Sequence, residues 1–239
     1  MKHKKVIGLS GFGDAIYIEP IVRRLAEQDN IILYTDYPQV FEHIPNAETT
    51  RYNRGAIVDK TLSYIDSKAN TETTQLDDLG YKSSDEFQVA HKKIALVCAG
   101  YKGMGTRNEF IPKSRVICDI IKLLESRGYR VIHIANGTDA DYGIERVKSS
   151  SYFHTLALFK GADLIVCQQG WATGLAEGLN KCCLVVFAET IATSDNRFIR
   201  QVTPKKVCCK TTTSFIWDNE EKLKEAFNEV MRVLCPWLF

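Results

Sequence analysis

Short apolar runs alternate with amphipathic stretches along this 239-residue chain. Residues 93–98, 129–135, 162–167 and 182–188 are near-continuously apolar over the length of a strand. That is the pattern of strands buried on both faces. Residues 5–9 and 31–34 are shorter runs of the same kind, and 205–209 reads as a last short strand. Helical spacing predicts helices over 15–28, 113–127, 151–160 and 172–179. Pro20 marks a kink or a second start in the first of these. Val116, Ile120, Leu123 and Leu124 line one face of the second, which Gly128 stops. Residues 37–44 read as a short helix. Residues 49–92 are weakly patterned, with helix candidates at 59–67 and 73–79 and a connection at 82–87. Asp218 caps a final helix over 220–234, ended by Pro236.

Strands alternating with helices predict an α/β fold with a mainly parallel sheet. The breaks predict two lobes, 1–90 and 91–215, with a helix over 216–239 that crosses back to the first. A single doubly wound sheet is the alternative.

Composition narrows the classes. Hydrophobic residues make up 45% and charged residues 25%, which excludes a disordered or coiled-coil chain. The formal net charge of +2 does not indicate a polybasic nucleic-acid binder. The eight cysteines lie mostly in apolar runs, without CxxC spacing, and read as free thiols of a reducing cytoplasm. The N-terminus has no long apolar segment of a signal peptide, and no run reaches the 18 apolar residues of a membrane span.

Ligands of open α/β sheets bind beyond the carboxyl ends of strands. Three turns with suitable chemistry follow predicted strands. Gly11-Phe12-Gly13-Asp14 opens the first helix, and Asp14 there either caps the helix or serves as a catalytic base. Gln168-Gln169-Gly170-Trp171-Ala172-Thr173-Gly174 opens a short helix whose amides, with the Thr173 hydroxyl, suit a diphosphate. Trp171 either stacks on a ligand or caps the core. Asn136-Gly137-Thr138 follows the strand over 129–135 and suits a base or ribose, or is only a turn. The third glycine of a dinucleotide fingerprint is missing, because Ile16 stands in its place. Asp139-Ala140-Asp141 spells a metal-binding pair but falls in the nucleotide-side loop. No metal site is expected. His133 lies in an apolar strand and reads as packing.

Taken together these motifs resemble the heptosyltransferase-type glycosyltransferases of family 9. Gly11, Gly13, Asp14, Pro20, Arg24 and Leu25 match that family's opening turn and helix. Ala99-Gly100 matches its strand ending in small residues, and Asp163 to Val166 with Leu175, Ala176, Leu179 and Val185 to Phe187 match its last motif. Gln169-Gly170-Trp171 replaces the family's Asp-Ser-Gly, Thr173-Gly174 its Met-His, and Glu177 a small residue. The resemblance implies a GT-B-like fold of two Rossmann-like lobes with a reduced N-terminal lobe, a compact variant of the kind phages encode.

It also implies transfer of a sugar from a nucleotide-diphosphate sugar, inverting and without a metal or other cofactor. Asp14 is then the base. Gly11, Gly13, Gly100, Lys102, Arg107, Asn136 to Thr138 and Gln169 to Gly174 bind the donor. The acceptor is a glycan, such as lipopolysaccharide, or a hydroxymethylated DNA base. Arg23, Arg51 and Arg54 are candidates for contacting it, together with Lys2, Lys4, Lys5 and Arg24. The alternative is that these cations pair with Glu19, Glu27 and Asp29. A non-catalytic nucleotide-binding protein on the same fold is the competing function.

Overall fold

The structure is a computed structural model. It describes residues 3–8, 11–62, 93–100, 114–135, 139–168, 170–187 and, as backbone only, 213–217. The expected helices over 73–79 and 220–234 and the strand over 205–209 lie outside these residues. The chain divides into two compact units, Met1–Leu79 and Gly80–Phe239.

The first unit contains β1 (His3–Gly8), α1 (Phe12–Gln28), β2 (Asn30–Thr35), a 3-10 turn (Pro38–Val40), β3 (Ala47–Arg51) and β4 (Lys60–Leu62). Its sheet has the order β3-β2-β1-β4 and every pairing is parallel. Val6 at the centre lies opposite Leu33 on one side and Lys60 on the other. α1 buries Ile16, Ile18, Val22 and Ala26. It runs through Pro20 without ending there.

The second unit contains β5 (Ile94–Cys98), α2 (Ser114–Glu125), β6 (Arg130–Ile134), β7 (Glu145–Val147), α3 (Tyr152–Gly161), β8 (Leu164–Gln168), α4 (Trp171–Gly178), β9 (Cys182–Phe187) and β10 (Thr213–Trp217). The sheet order is β10-β9-β8-β5-β6-β7, again parallel throughout. One face carries Ala95, Val97, Val131, Leu164, Val166, Leu184 and Val186. These pack on Val116, Ile117, Ile120 and Leu124 of α2. Ser151 caps α3 by accepting the His154 N–H at 3.1 Å.

Several expectations are corrected. The helix expected at 37–44 shrinks to the turn Pro38–Val40; Pro38 suits the first turn, and Pro45 disfavours helical backbone at Ile44 before it. Residues 60–62 form a strand, not the start of a helix. β3, β7 and β10 were not expected. Among the described residues, no helix is long and apolar enough to cross a membrane.

Candidate active site: turns at the two switch points

In a parallel sheet the crevice for ligands opens where the strand order reverses. In the first unit β1 is followed by β2 and β3 on one side and by β4 on the other, so the reversal falls between β1 and β4. Gly11 to Asp14, the N-cap and first turn of α1, follow β1 in the chain.

The local geometry decides what Asp14 does. Gly11, not Asp14, is the N-cap of α1, with extended backbone and no side-chain cap. The first helical bond runs from the Ala15 N–H to the Gly11 carbonyl at 3.0 Å. Asp14 is therefore the third helical residue, which corrects the capping reading. A carboxylate in the first turn is favoured by the helix dipole. Its Oδ2 folds back over Gly11, 2.5 Å from where a Cβ on residue 11 would stand. Glycine at 11 thus makes room for the carboxylate of Asp14. Phe12 beside it packs on Tyr37, ring centroids 5.3 Å apart.

Two basic residues of this unit are paired with acids. The Arg23 Nε–H donates to Glu19 Oε1 at 3.1 Å, and His43 Nε2 meets the same oxygen at 2.9 Å. Glu19 is fully buried, and its Oε2 has no hydrogen-bond partner among the described residues. Lys4 lies 3.8 Å from Asp29. Arg51 ends the edge strand β3, two strands from β1 or roughly 10 Å across the sheet. Arg54 is exposed in a neighbouring turn.

In the second unit β6 and β7 lie on one side of β5 and β8 to β10 on the other, so the reversal falls between β5 and β8. Gly100 follows β5 with φ +78°. That left-handed backbone suits glycine. Any Cβ here would also collide with Tyr142 Oη. The Gly100 N–H donates to Gln168 Oε1 at 2.7 Å, and its carbonyl accepts from the Ala140 N–H at 3.3 Å. Beyond β8, Gly170 caps α4 at φ 136°, ψ −149°, a region open essentially to glycine alone.

The residues after Gly170 divide between loop and core. Gly170 and Trp171 are half-buried, whereas Ala172, Thr173 and Gly174 are buried. Trp171 packs against Phe159 of α3, ring centroids 5.8 Å apart. The Thr173 hydroxyl faces Cys167 Sγ at 3.5 Å inside the core, and the Thr173 N–H bonds the Gly170 carbonyl. Lys102, Arg107, Asn136, Gly137, Thr138 and Gln169 lie outside the described residues.

Three further residues meet at this end of the sheet. Gln168 opens the diphosphate motif of the sequence without being one of its expected donor contacts, His133 is expected only to pack, and Tyr142 is not singled out by the sequence. The one available signal was a glutamine ending the apolar run of β8. His133 and Tyr142 stack at 5.0 Å. The Tyr142 hydroxyl is buried and has no hydrogen-bond partner among the described residues. Burial accordingly lowers the pKa of His133 and raises that of Tyr142. Burial also raises Glu177 on α4 to about 7.

The cysteines are buried chemistry of another kind. Cys167 Sγ lies 3.5 Å from Cys183 Sγ, both as thiols. The bond to Cys167 and burial raise Cys183, and burial raises Cys98, so these thiols stay protonated. Asp141 is used in its own turn, accepting from the Gly143 N–H at 3.0 Å and lying 3.9 Å from Arg146. Among the described residues no group of three or more His, Cys, Asp or Glu side chains is placed to hold a metal ion.

Two parallel α/β units, each with a glycine turn at the point where its strand order reverses, define the mixed α/β architecture seen in glycosyltransferases of the GT-B kind. No family profile matches the chain, and no curated protein matches it by sequence. Solved structures do match. ADP-heptose LPS heptosyltransferase II of E. coli aligns at 13% identity and a TM-score of 0.62, covering 97% of this chain and 98% of that one. A family 9 glycosyl transferase from Veillonella parvula aligns at 10% identity and 0.62, covering 95% and 89%. E. coli heptosyltransferase WaaC with ADP aligns at 11% and 0.56, covering 97% of both. At these identities the likeness establishes a shared fold.

Proposed function

We propose that this protein is a glycosyltransferase that moves a sugar from a nucleoside-diphosphate sugar to an acceptor hydroxyl, with inversion and without a metal. One observation carries the reading. Two of the three segments that the sequence marks for chemistry, Gly11 to Asp14 at the start of α1 and Gly170 to Gly174 at the start of α4, follow strands that flank the switch points of their own sheets.

In this mechanism Asp14 removes the proton of the acceptor hydroxyl as its oxygen attacks the anomeric carbon. The bond between that carbon and the diphosphate oxygen breaks, and the leaving nucleoside diphosphate takes the electron pair. Backbone N–H groups at the start of α4 stabilise the developing charge. Lys102 and Arg107 supply positive charge, and Asn136 to Thr138 serve the base or ribose.

A glycan hydroxyl is the favoured acceptor over duplex DNA. Arg23, a candidate contact for a polyanion, is paired with the buried Glu19, and Lys4 lies beside Asp29 at the surface.

The test is Asp14→Asn. Asparagine keeps a polar side chain in the first turn, so stability changes by less than about 1 kcal/mol. Loss of the base lowers turnover of donor about 10²–10⁴-fold while donor affinity holds. Unchanged turnover removes Asp14 from the mechanism. Donor binding without any turnover in the unaltered protein would instead favour a non-catalytic binder.

A further inference from the structure

We propose that Gln168 is a positioning residue of the donor site, locking the turn after β5 to the turn after β8 so that both face one diphosphate. The inference rests on the donor reading above. Leu164 and Val166 precede Gln168 on β8 and face the cluster beneath α2. Alternation puts the side chain of Gln168 on that same face, where an apolar residue would continue the row. Yet the residue there is a carboxamide that is 1% exposed. A buried amide is tolerated only when it is hydrogen-bonded.

Its partner is the informative part. Gln168 Oε1 accepts from the backbone N–H of Gly100, 68 residues away in sequence and at the end of the neighbouring strand. Register sets this up, because Cys98 lies opposite Cys167 and the two strands end side by side. The bond orients the Gly100 peptide at its left-handed φ, with Tyr142 Oη on its other side. Gly170 follows two residues after Gln168 and caps α4. One side chain therefore ties Gly100, just past β5, to the end of β8, two residues before the Gly170 cap. Positioning of this kind acts on binding, because a ligand held by two loops needs both in register at once.

The experiment uses the full chain and three proteins: unaltered, Gln168→Met and Val166→Ala. Methionine matches glutamine in length but cannot accept the Gly100 N–H. Val166→Ala opens a cavity on the same face of the same strand and is the structural control. Melting temperature and affinity are measured together, with ADP, UDP, GDP and CDP as probes. Both variants should melt lower. Gln168→Met should raise the dissociation constant of the bound nucleotide about tenfold, an ordinary coupling between sites, while Val166→Ala leaves it within about twofold. Equal affinities for the unaltered protein and Gln168→Met overturn the inference alone, as does an equal loss in both variants. Failure of the unaltered protein to bind any of the four nucleotides overturns the donor reading, and the inference with it.

Discussion

Replacing Glu177 by glutamine isolates a single buried carboxyl and its effect on stability. Glu177 is the seventh residue of α4, among the buried Gly174, Leu175, Ala176 and Gly178. Burial raises it from an ordinary 4.5 to about 7. Below about pH 4.5 the carboxyl is protonated in both the folded and unfolded chains, and the shift costs nothing. Between about 4.5 and 7 the unfolded chain releases the proton while the folded protein keeps it. The folded state then binds more protons, so stability falls as pH rises, and the full cost is reached above about pH 7. At about 1.4 kcal/mol per pH unit, and discounting for partial exposure, that cost is about 2–3 kcal/mol. The Glu177→Gln variant has nearly the same shape and cannot ionise. It should match the unaltered protein near pH 4.5 and exceed its stability by about 2–3 kcal/mol at pH 8. Urea unfolding of both proteins at several pH values measures the difference. His133, held down by burial, destabilises both proteins equally at low pH and cancels from that difference. Parallel stability curves for the two proteins would refute the reasoning.

Two further outcomes follow from the turns. Gly11→Ala sets a Cβ 2.5 Å from Asp14 Oδ2, so the carboxylate must swing away. The melting temperature should barely move, but donor turnover should fall by roughly 10–100-fold, and full activity would show that the placement of Asp14 is irrelevant. Tyr142→Phe deletes a buried hydroxyl that has no hydrogen-bond partner among the described residues. Thermal denaturation should show a gain of about 1 kcal/mol, and a loss would mean that the hydroxyl is bonded.

How much could be read from the sequence depended on burial. IALVC of β5 and CCLVVF of β9 were legible because strands enclosed on both faces are apolar throughout, and RVIHI of β6 because Val131, Ile132 and Ile134 dominate it despite Arg130 and His133. AETTR of β3, KTL of β4 and ERV of β7 were not. β3, β4 and β7 end their sheets, where half-solvated strands carry polar residues and no period stands out. The start of α1 was set three residues late because glycines at 11 and 13 look like loop, although a glycine cap with Phe12 inside the helix fits equally well. The turns of the candidate site were legible as glycine clusters after strands. The tie from Gln168 to Gly100 was not, since hydrogen bonds spanning 68 residues leave no local trace.

The parallel pairing of β5 with β8 also shapes how the protein is made. Ile94 and Asp163 close that ladder reciprocally. The Ile94 N–H donates to the Asp163 carboxylate 69 residues on, and the Asp163 N–H returns a bond to the Ile94 carbonyl. Translation at about 5–20 residues per second leaves β5 waiting several seconds for its inner neighbour. All five residues of β5 are buried in the finished sheet, so through that interval a wholly apolar edge is covered on one side only, by β6. That interval, before α3 and β8 emerge, is the one in which an unpaired apolar strand edge of the second unit is open to wrong pairing.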